Sequence, residues 1–172
     1  MNFKSNGKFL LTGEYLVLKG ATALALPLKF GQSMDVETLD KNENLIYWNA
    51  YIKSTDNGRQ TTDSETNWFS AVLNKTDFSI VSSDDIEKAE RLSNILKQAK
   101  SLNNNIFTED NDFSFQCHLD FNPQWGLGSS STLINNISEW ANVNPYQLLS
   151  STFKGSGYDI ACAKAEGPIF YN

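Results

Sequence analysis

The most constraining feature of this sequence is a strictly alternating stretch followed by a loop of glycine and serine. Between residues 113 and 121, apolar side chains occupy the odd positions and polar ones the even positions. This period of two predicts a strand with one buried face. Residues 122–132 then read Asn-Pro-Gln-Trp-Gly-Leu-Gly-Ser-Ser-Ser-Thr, and apolar residues at helical spacing follow from Leu133 to Ala141. The pattern predicts a strand that leads through a glycine-rich loop into a helix.

Such a loop, between a strand and a helix N-terminus, is typical of phosphate-binding sites. The first N–H groups of a helix have no partner within the helix, and the helix dipole favours an anion there. Gly126 and Gly128 would let the backbone approach an anion, and the hydroxyls of residues 129–131 can donate to phosphate oxygens or ligate Mg²⁺. The alternative is that Ser129 or Ser130 only caps the helix. Neither the P-loop pattern nor the dinucleotide-binding glycine pattern occurs in the sequence.

Composition restricts the functions that remain. The 172 residues are 40% hydrophobic and the mean hydropathy is -0.39, which favours one soluble globular domain over a disordered or membrane protein. Because 20 acidic residues oppose 14 basic ones, for a net charge of -6, we expect no nucleic-acid partner and no membrane partner. The N-terminus lacks the apolar core of a signal peptide, and two cysteines are too few for a disulfide framework. We therefore expect a cytoplasmic protein.

The rest of the chain also shows patterns of regular structure. Strands are expected, from apolar runs or alternation, at residues 9–11, 16–18, 21–30, 34–38 and 45–52, the first two as a hairpin at a sheet edge. Residues 53–67 carry no large apolar side chain and are expected to form an exposed loop. A helix is expected from Asp84, which with Glu87 resembles a capping box. Its expected buried face consists of Ile86, Ala89, Leu92, Ile95, Leu96 and Ala99.

Three blocks of the sequence, in chain order, together resemble motifs of one superfamily. Residues 7–25 begin Gly-Lys-Phe-Leu-Leu-Thr-Gly-Glu-Tyr, residues 123–131 read Pro-x-x-Gly-Leu-Gly-Ser-Ser-Ser, and residues 155–161 read Gly-Ser-Gly-Tyr-Asp-Ile-Ala. They resemble the galactokinase, homoserine kinase, mevalonate kinase and phosphomevalonate kinase (GHMP) superfamily. The string Gly-Tyr-Asp-Ile-Ala also resembles the signature of a bacterial subgroup of these kinases.

This resemblance implies an α+β fold, a two-layer α/β sandwich similar to a domain of a small-subunit ribosomal protein. Residues 1–172 would form the N-terminal, ATP-binding lobe of a kinase, and a C-terminal lobe, which closes the acceptor pocket in the superfamily, is expected but absent from this sequence. The implied reaction transfers the γ-phosphoryl group of ATP to a small alcohol or phosphate acceptor that is mevalonate-like or phosphomevalonate-like, as in isoprenoid biosynthesis. The alternatives are a sugar or homoserine kinase and a non-catalytic binding module.

The resemblance also assigns roles to single residues. Asp159 would act as base or electrostatic anchor beside the acceptor hydroxyl, and Lys8 would pair with Asp159 and with the transferred phosphoryl group. The alternatives are a helix-capping Asp159 and a solvated Lys8. Glu14 and Tyr15 correspond to acceptor-side positions. The ATP phosphates would be bound by Gly126, Leu127, Gly128, Ser129, Ser130 and Ser131.

The implied metal site departs from the superfamily pattern. Ser130 corresponds to the serine that ligates Mg²⁺, but residues 141–158 contain no acid to match the glutamate that these kinases add. Glu139 lies further back and cannot be assumed to replace it. We expect Mg²⁺ to be held by Ser130, phosphates and water, with weak or altered metal dependence.

Three conspicuous side chains are interpreted as structural. His118 falls on the polar face of the alternating strand and outside every matched block, which indicates a surface residue rather than a base. Trp48 and Trp68 flank the polar segment 53–67 and could contact adenine, but aromatic residues beside a sheet more often belong to the core. They are left out of the predicted site.

Overall fold

The computed structural model describes residues 1–13, 16, 19–56, 59–108, 110–153 and 155–172, with the backbone alone for residues 54–56 and 59–64. Its described strands form one seven-stranded mixed sheet. They are β1 (Asn2–Thr12), β2 (Ala23–Leu39), β3 (Leu45–Asp56), β4 (Arg59–Asn74), β5 (Ile80–Ser83), β6 (Asp112–Leu119) and β7 (Ile169–Tyr171). The order across the sheet is β1-β2-β6-β3-β4-β5, with β7 beside the start of β2. Only the pairing of β3 with β6 is parallel among the described strands.

Helices pack against one face of the sheet and give the two-layer α+β fold that the resemblance implies. They are α1 (Ile86–Leu102), α2 (Ser129–Ala141), α3 (Pro145–Thr152) and α4 (Tyr158–Lys164). The alternation in β6 explains the arrangement, because Phe115 and Cys117 lie in the core under the helices while Gln116 is exposed on the other face. Among the described helices, none is long and apolar enough to span a membrane.

The centre of the core is aromatic. Trp48 on β3 stacks on Phe115 of β6 with ring centroids 5.0 Å apart, and Trp140 of α2 meets Phe115 edge-on, also at 5.0 Å. Both arrangements are favourable geometries for aromatic pairs. Trp48 is 2% exposed, so the interpretation of this residue as core is confirmed.

The predicted N-terminal hairpin is wrong in its second strand. β1 pairs with β2, so that Phe9 faces Leu26 and Leu10 faces Ala25. Leu16 lies in a turn with an exposed side chain, and Val17 and Leu18 fall outside the described residues. The two strands expected at residues 21–30 and 34–38 form the single long strand β2. The backbone of β2 pairs with β1 on one side and with β6 on the other, which continues the strand across both predicted segments.

The predicted exposed loop at residues 53–67 is also wrong. The backbone of β3 continues to Asp56, and β4 begins at Arg59 and pairs back along β3, with Asp56 opposite Arg59. The backbone hydrogen bonds of such a ribbon need no buried side chain, so a polar sequence can form it. The dipeptide Asn57-Gly58 between the paired residues is a strong sequence signal for a two-residue hairpin turn.

Helix α1 begins one residue later than predicted. Its N-cap is Asp85, whose side chain accepts a hydrogen bond from the N–H of Lys88, whereas the Asp84 carboxylate accepts the N–H of Ser70 on β4. The rest of the predicted face is buried, but Ile86 is 62% exposed because it lies at the very start of the helix. Adjacent aspartates leave the sequence ambiguous about which one caps.

Candidate functional site

Helix α2 begins on a glycine rather than on a capping side chain. Gly128 is the N-cap, with a left-handed φ of 92°, and no side chain caps the helix. This excludes the alternative in which Ser129 or Ser130 is the cap. A β-carbon at Gly128 would lie 2.8 Å from Ser131 Oγ and 3.0 Å from Lys8 Cγ, so both the conformation and the close packing require glycine here.

The absence of a side-chain cap leaves hydrogen-bond donors at the start of α2. The first helical bond runs from Thr132 N–H to the Gly128 carbonyl at 3.0 Å, so the N–H groups of residues 129–131 precede it. In the described part of the chain, the Ser129 and Ser130 hydroxyls donate to no acceptor. The Ser131 hydroxyl donates to Gly128 O at 2.8 Å and is buried, so this residue offers an N–H group rather than its hydroxyl.

Lys8 on β1 lies directly beside this loop. Its backbone N–H donates to the carbonyl of Leu127 at 2.9 Å, which attaches the loop to the sheet. Its side chain passes Gly128, and its ammonium donates to the hydroxyl of Tyr158 at 2.8 Å while lying 5.1 Å from the centre of that ring. The one cation that sequence assigned to the site therefore lies next to the predicted phosphate loop.

Asp159 lies in the first turn of α4, beside the same lysine. The N-cap of α4 is Gly157, again in a left-handed conformation with φ 88°, so Asp159 is not the N-cap. The pKa of the neighbouring Cys162 thiol is raised to about 11, first by burial and then by the negative charge of Asp159, while the positive charge of Lys8 opposes both. Asp159 and Lys8 thus act on the same buried sulfur.

The expected ion pair between Lys8 and Asp159 is not formed in the described residues. Among the described residues, the Lys8 ammonium donates to the Tyr158 hydroxyl instead. Tyr158 was missed by the sequence reasoning although it stands next to Asp159 in the Gly-Tyr-Asp string.

A buried polar network fixes α2 to the sheet beneath the loop. Asn136 accepts a hydrogen bond from Ser5 Oγ at 2.6 Å and donates to the backbone carbonyl of Gln32 at 3.0 Å. Thr132 donates to the side-chain oxygen of Gln32 at 2.8 Å, and Asn135 donates to Ser5 at 2.9 Å. All five side chains are buried. Satisfied buried networks of this kind hold two elements in one relative position, here the loop helix against β1 and β2.

A cavity of about 240 Å³ opens next to the start of α2. It is lined by residues of the sheet, of α1 and of the loop helix, among them Gln32, Trp68, Lys88, Arg91, Ser129 and Ser130. The indole N–H of Trp68 is buried without a hydrogen-bond partner in the described residues. The Lys88 ammonium lies 4.9 Å from the centre of the Trp68 ring and also pairs with Asp85. Trp68, which the sequence reasoning left out, lines this cavity, but no sequence signal marks Gln32 or Arg91 as its neighbours.

The remaining predicted residues lie elsewhere or outside the described part. Glu14 and Tyr15 fall outside it. Glu139 pairs with Lys164, and within the described residues no group of three or more acidic, histidine or cysteine side chains could hold a metal ion. His118 pairs with Glu65 at 2.9 Å and stacks on Tyr51, on the polar face of the sheet as expected.

Comparison with solved structures identifies this architecture. The chain is similar to mevalonate kinase of Methanococcus jannaschii, with 16% identity and a TM-score of 0.65 over 100% of this chain and 53% of that one. It is similar to Streptococcus pneumoniae phosphomevalonate kinase, solved with phosphomevalonate and AMPPNP, with 15% identity and a TM-score of 0.58 over 95% of this chain and 46% of that one. It is also similar to Lactococcus lactis galactokinase, solved with galactose, with 15% identity and a TM-score of 0.57 over 92% of this chain and 38% of that one.

The chain has the same fold as the part of these kinases that it matches. It spans about half the length, or less, of each of these structures. No protein-family model and no curated protein sequence matches the chain. At 15–16% identity these likenesses establish the fold, and the chemistry has to be argued from the residues that the fold brings together.

Proposed function

We propose that this chain is the ATP-binding lobe of a small-molecule kinase. The observation that carries the proposal is the start of α2, a glycine-capped helix with free N–H groups and free serine hydroxyls, next to Lys8 and to the first turn of α4. Phosphoryl transfer needs positioned positive charge and an oriented nucleophile more than covalent chemistry. The loop and Lys8 supply the positive charge. Asp159 provides the oriented nucleophile, because it orients and deprotonates an acceptor hydroxyl.

The cavity beside α2 suits the nucleoside of ATP. An ATP whose phosphates lie on the loop has its base and ribose within a short reach, and the cavity shares Ser129 and Ser130 with the loop. Trp68 presents an aromatic surface and an unpartnered N–H group, and the amide nitrogen of Gln32 donates to no described residue. Purines have ring nitrogens that accept such hydrogen bonds and a π face that stacks on indole.

Mg²⁺ fits this site only as an ion held largely by ATP. In residues 126–131 the loop offers serine hydroxyls but no carboxylate, and Glu139 is engaged by Lys164. Mg²⁺ commonly keeps several waters and binds through substrate phosphates with one or two protein ligands. We therefore expect the ion to arrive with ATP and to contact Ser130. Its chemistry there would be neutralisation of charge on the transferred phosphoryl group.

We further propose that a second lobe covers one end of the sheet. Phe9 faces Leu26 and Leu24 faces Phe170 across neighbouring strands, on the surface opposite to the buried Ala23 and Ala25. Phe170 is 78% exposed and Phe9 48%. The same outer surface is polar over β3 and β6, for example where Asn49 faces Gln116. Contiguous exposed apolar side chains mark an interface, and the structural relatives are about twice as long as this chain.

The acceptor is proposed from the same chemistry. A small alcohol or phosphate, mevalonate-like or phosphomevalonate-like, would meet Asp159 and Lys8, and a sugar or homoserine would meet the same two groups. The net charge of -6 supports a small-molecule acceptor rather than nucleic acid or an anionic membrane.

The first test is nucleotide binding by the 172-residue chain. Titration calorimetry with ATP and with AMPPNP, in the presence and absence of Mg²⁺, should show saturable binding that weakens when Ser130 is replaced by alanine and Mg²⁺ is present. A folded chain that binds neither nucleotide would overturn the proposal. A protein that binds ATP but releases no ADP with mevalonate, phosphomevalonate, homoserine or galactose, even when joined to a second lobe, would favour the non-catalytic alternative.

A further inference from the structure

Tyr158 contacts Lys8, the lysine that lies beside Gly128 in the predicted phosphate loop. Its hydroxyl accepts a hydrogen bond from Lys8 Nζ at 2.8 Å, and its ring lies 5.1 Å from the same atom. The two residues are 150 positions apart in the sequence, so this contact exists only because the fold brings α4 against β1. We propose that Tyr158 is a positioning residue that directs the Lys8 ammonium toward the terminal phosphoryl group of ATP.

The Lys8 ammonium needs a contact like that with Tyr158 if it is to bind a phosphoryl group at one defined position. The ammonium stands at the end of a flexible four-carbon stem and is strongly hydrated when free. Gly128 restricts the stem by close packing, since a β-carbon there would come within 3.0 Å of Lys8 Cγ. That packing fixes the root of the side chain, whereas the hydroxyl and the ring of Tyr158 fix its end. Lys8 is therefore held at both ends, beside the N–H groups of α2.

The hydrogen bond leaves the ammonium able to bind a ligand. An ammonium has three donors, and Tyr158 accepts one of them. The other two have no acceptor among the described residues, in which Lys8 makes no ion pair. A neutral hydroxyl is suited to this task, because it orients the cation without cancelling the charge that a phosphoryl group requires.

Tyr158 is itself held by the start of α4. Gly157, immediately before it, packs so closely that a β-carbon would lie 2.9 Å from the Tyr171 hydroxyl and 3.0 Å from a ring carbon of Tyr146. Tyr171 on β7 donates to the carbonyl of Ser156 at 2.6 Å, and its ring meets the Tyr158 ring edge-on at 6.5 Å. These contacts restrict the start of α4 and the Tyr158 ring.

This inference rests on the proposed function, and it predicts a specific preference for AMPPNP over ADP. Lys8 directed at the terminal phosphoryl group should favour AMPPNP over ADP, which lacks that group. In the Tyr158→Phe variant the ring remains and the hydroxyl is lost, so AMPPNP should bind about fivefold to tenfold more weakly while ADP binding changes less than about twofold. Titration calorimetry of both nucleotides with Mg²⁺ measures the ratio directly.

Two further variants separate positioning from structure. Tyr146→Phe is the matched control, since the Tyr146 hydroxyl makes no hydrogen bond in the described residues, and both affinities should stay at the wild-type values. In a Lys8→Met background, Tyr158→Phe should have no further effect on the AMPPNP-to-ADP ratio, because the ammonium that it positions is gone.

The outcomes are distinguishable. If the wild-type chain binds neither nucleotide, the proposed function is overturned and this inference with it. If the wild type binds AMPPNP, three results would show that Tyr158 is not a positioning residue while the kinase proposal stands. Tyr158→Phe could keep the wild-type selectivity, or it could weaken the binding of both nucleotides equally. It could also change the AMPPNP-to-ADP ratio in the Lys8→Met background.

Discussion

Two helices that lie side by side on the sheet begin in opposite ways. Helix α1 begins at Asp85, whose carboxylate accepts the N–H of Lys88 and pairs with the Lys88 ammonium, so its N-terminus is satisfied by its own side chains. Helix α2 begins on Gly128, with no side-chain cap. A side-chain cap is generally worth about 1 kcal/mol relative to alanine but only a few tenths relative to glycine. The glycine at the start of α2 therefore leaves the first N–H groups without a side-chain cap at little cost in stability.

The other two helices show the same difference in capping, and α1 and α2 also differ in the residues that they bury. Helix α3 is capped by the Asn144 side chain, whereas α4 begins on Gly157. The buried face of α1 is apolar apart from Ser93, while α2 buries Thr132, Asn135 and Asn136 in its hydrogen-bonded network. The two glycine-led helices, α2 and α4, both adjoin Lys8. Capping chemistry thus distinguishes α1 and α3 from the two helices that meet at Lys8.

The largest expected effect is at the first turn of α4. In a protein that carries both lobes, Asp159→Asn should lower turnover by about a hundredfold to ten-thousandfold, roughly 3 to 5 kcal/mol of barrier, because the base is lost and the shape is kept. ATP affinity and melting temperature should stay near their wild-type values, since Asp159 caps no helix. Turnover, calorimetric affinity and melting temperature are measured on the same sample. Near-normal turnover in the folded variant would remove Asp159 from the mechanism.

The second effect concerns the glycine that begins α2. Gly128→Ala should abolish measurable ATP binding and lower the free energy of unfolding by about 1 to 3 kcal/mol, because the new β-carbon meets Ser131 and Lys8 in a left-handed backbone. Gly20→Ala is the matched control: Gly20 has a similar φ of 81° with no atom within 4 Å of a β-carbon, so it should be strained but bind ATP normally. Both are checked by urea unfolding and nucleotide titration. Wild-type affinity in a folded Gly128→Ala protein would show that the loop does not hold the phosphates.

The third effect concerns the attachment of α2. Asn136→Leu removes the acceptor of the buried Ser5 hydroxyl and the side-chain donor to the Gln32 carbonyl, so the free energy of unfolding should fall by about 1 to 3 kcal/mol. ATP should also bind more weakly, since the loop moves with its helix. In α1, Ser93→Ala removes a buried hydrogen bond to Phe78 O and should lower stability with unchanged ATP affinity. Equal effects of the two variants on ATP affinity would contradict the distinction between the two helices.

The sequence was sufficient for the parts of the site that are local in the chain. The alternation of residues 113–121 and the glycines and serines after it predict a strand, loop and helix start because each signal acts over a few neighbours. The contacts of Lys8 with Tyr158 and of Ser5 with Asn136 span 150 and 131 residues, and no pattern in a single sequence specifies such pairs.

The errors have similar physical causes. Burial patterns predict strands through their apolar side chains, so the polar ribbon at Asp56 and Arg59, which depends on backbone pairing, gives no such pattern. Leu16 is apolar but exposed in a turn, since the edge position beside β2 is taken by β1. Which of Asp84 and Asp85 caps α1 depends on the position of Ser70 on another strand.

The smallest effect should appear at the capped start of α1 and depends on pH. The pKa of the Asp85 carboxyl lies below its usual value, first because of its bond to the Lys88 side chain and then because of the Lys88 N–H. A carboxylate whose pKa is lowered by folding stabilises the folded state above its unfolded pKa, near 3.9, and loses this contribution as the pH falls through the folded value. Asparagine caps a helix as well as aspartate but has no charge for Lys88. Wild type should therefore melt slightly above Asp85→Asn at about pH 6, and the difference should shrink as the pH falls through the folded pKa. A difference in melting temperature that persists in acid would mean that the Asp85 charge does not stabilise α1. The contrast between the capped start of α1 and the uncapped start of α2 would then depend on hydrogen bonding to the backbone and not on charge.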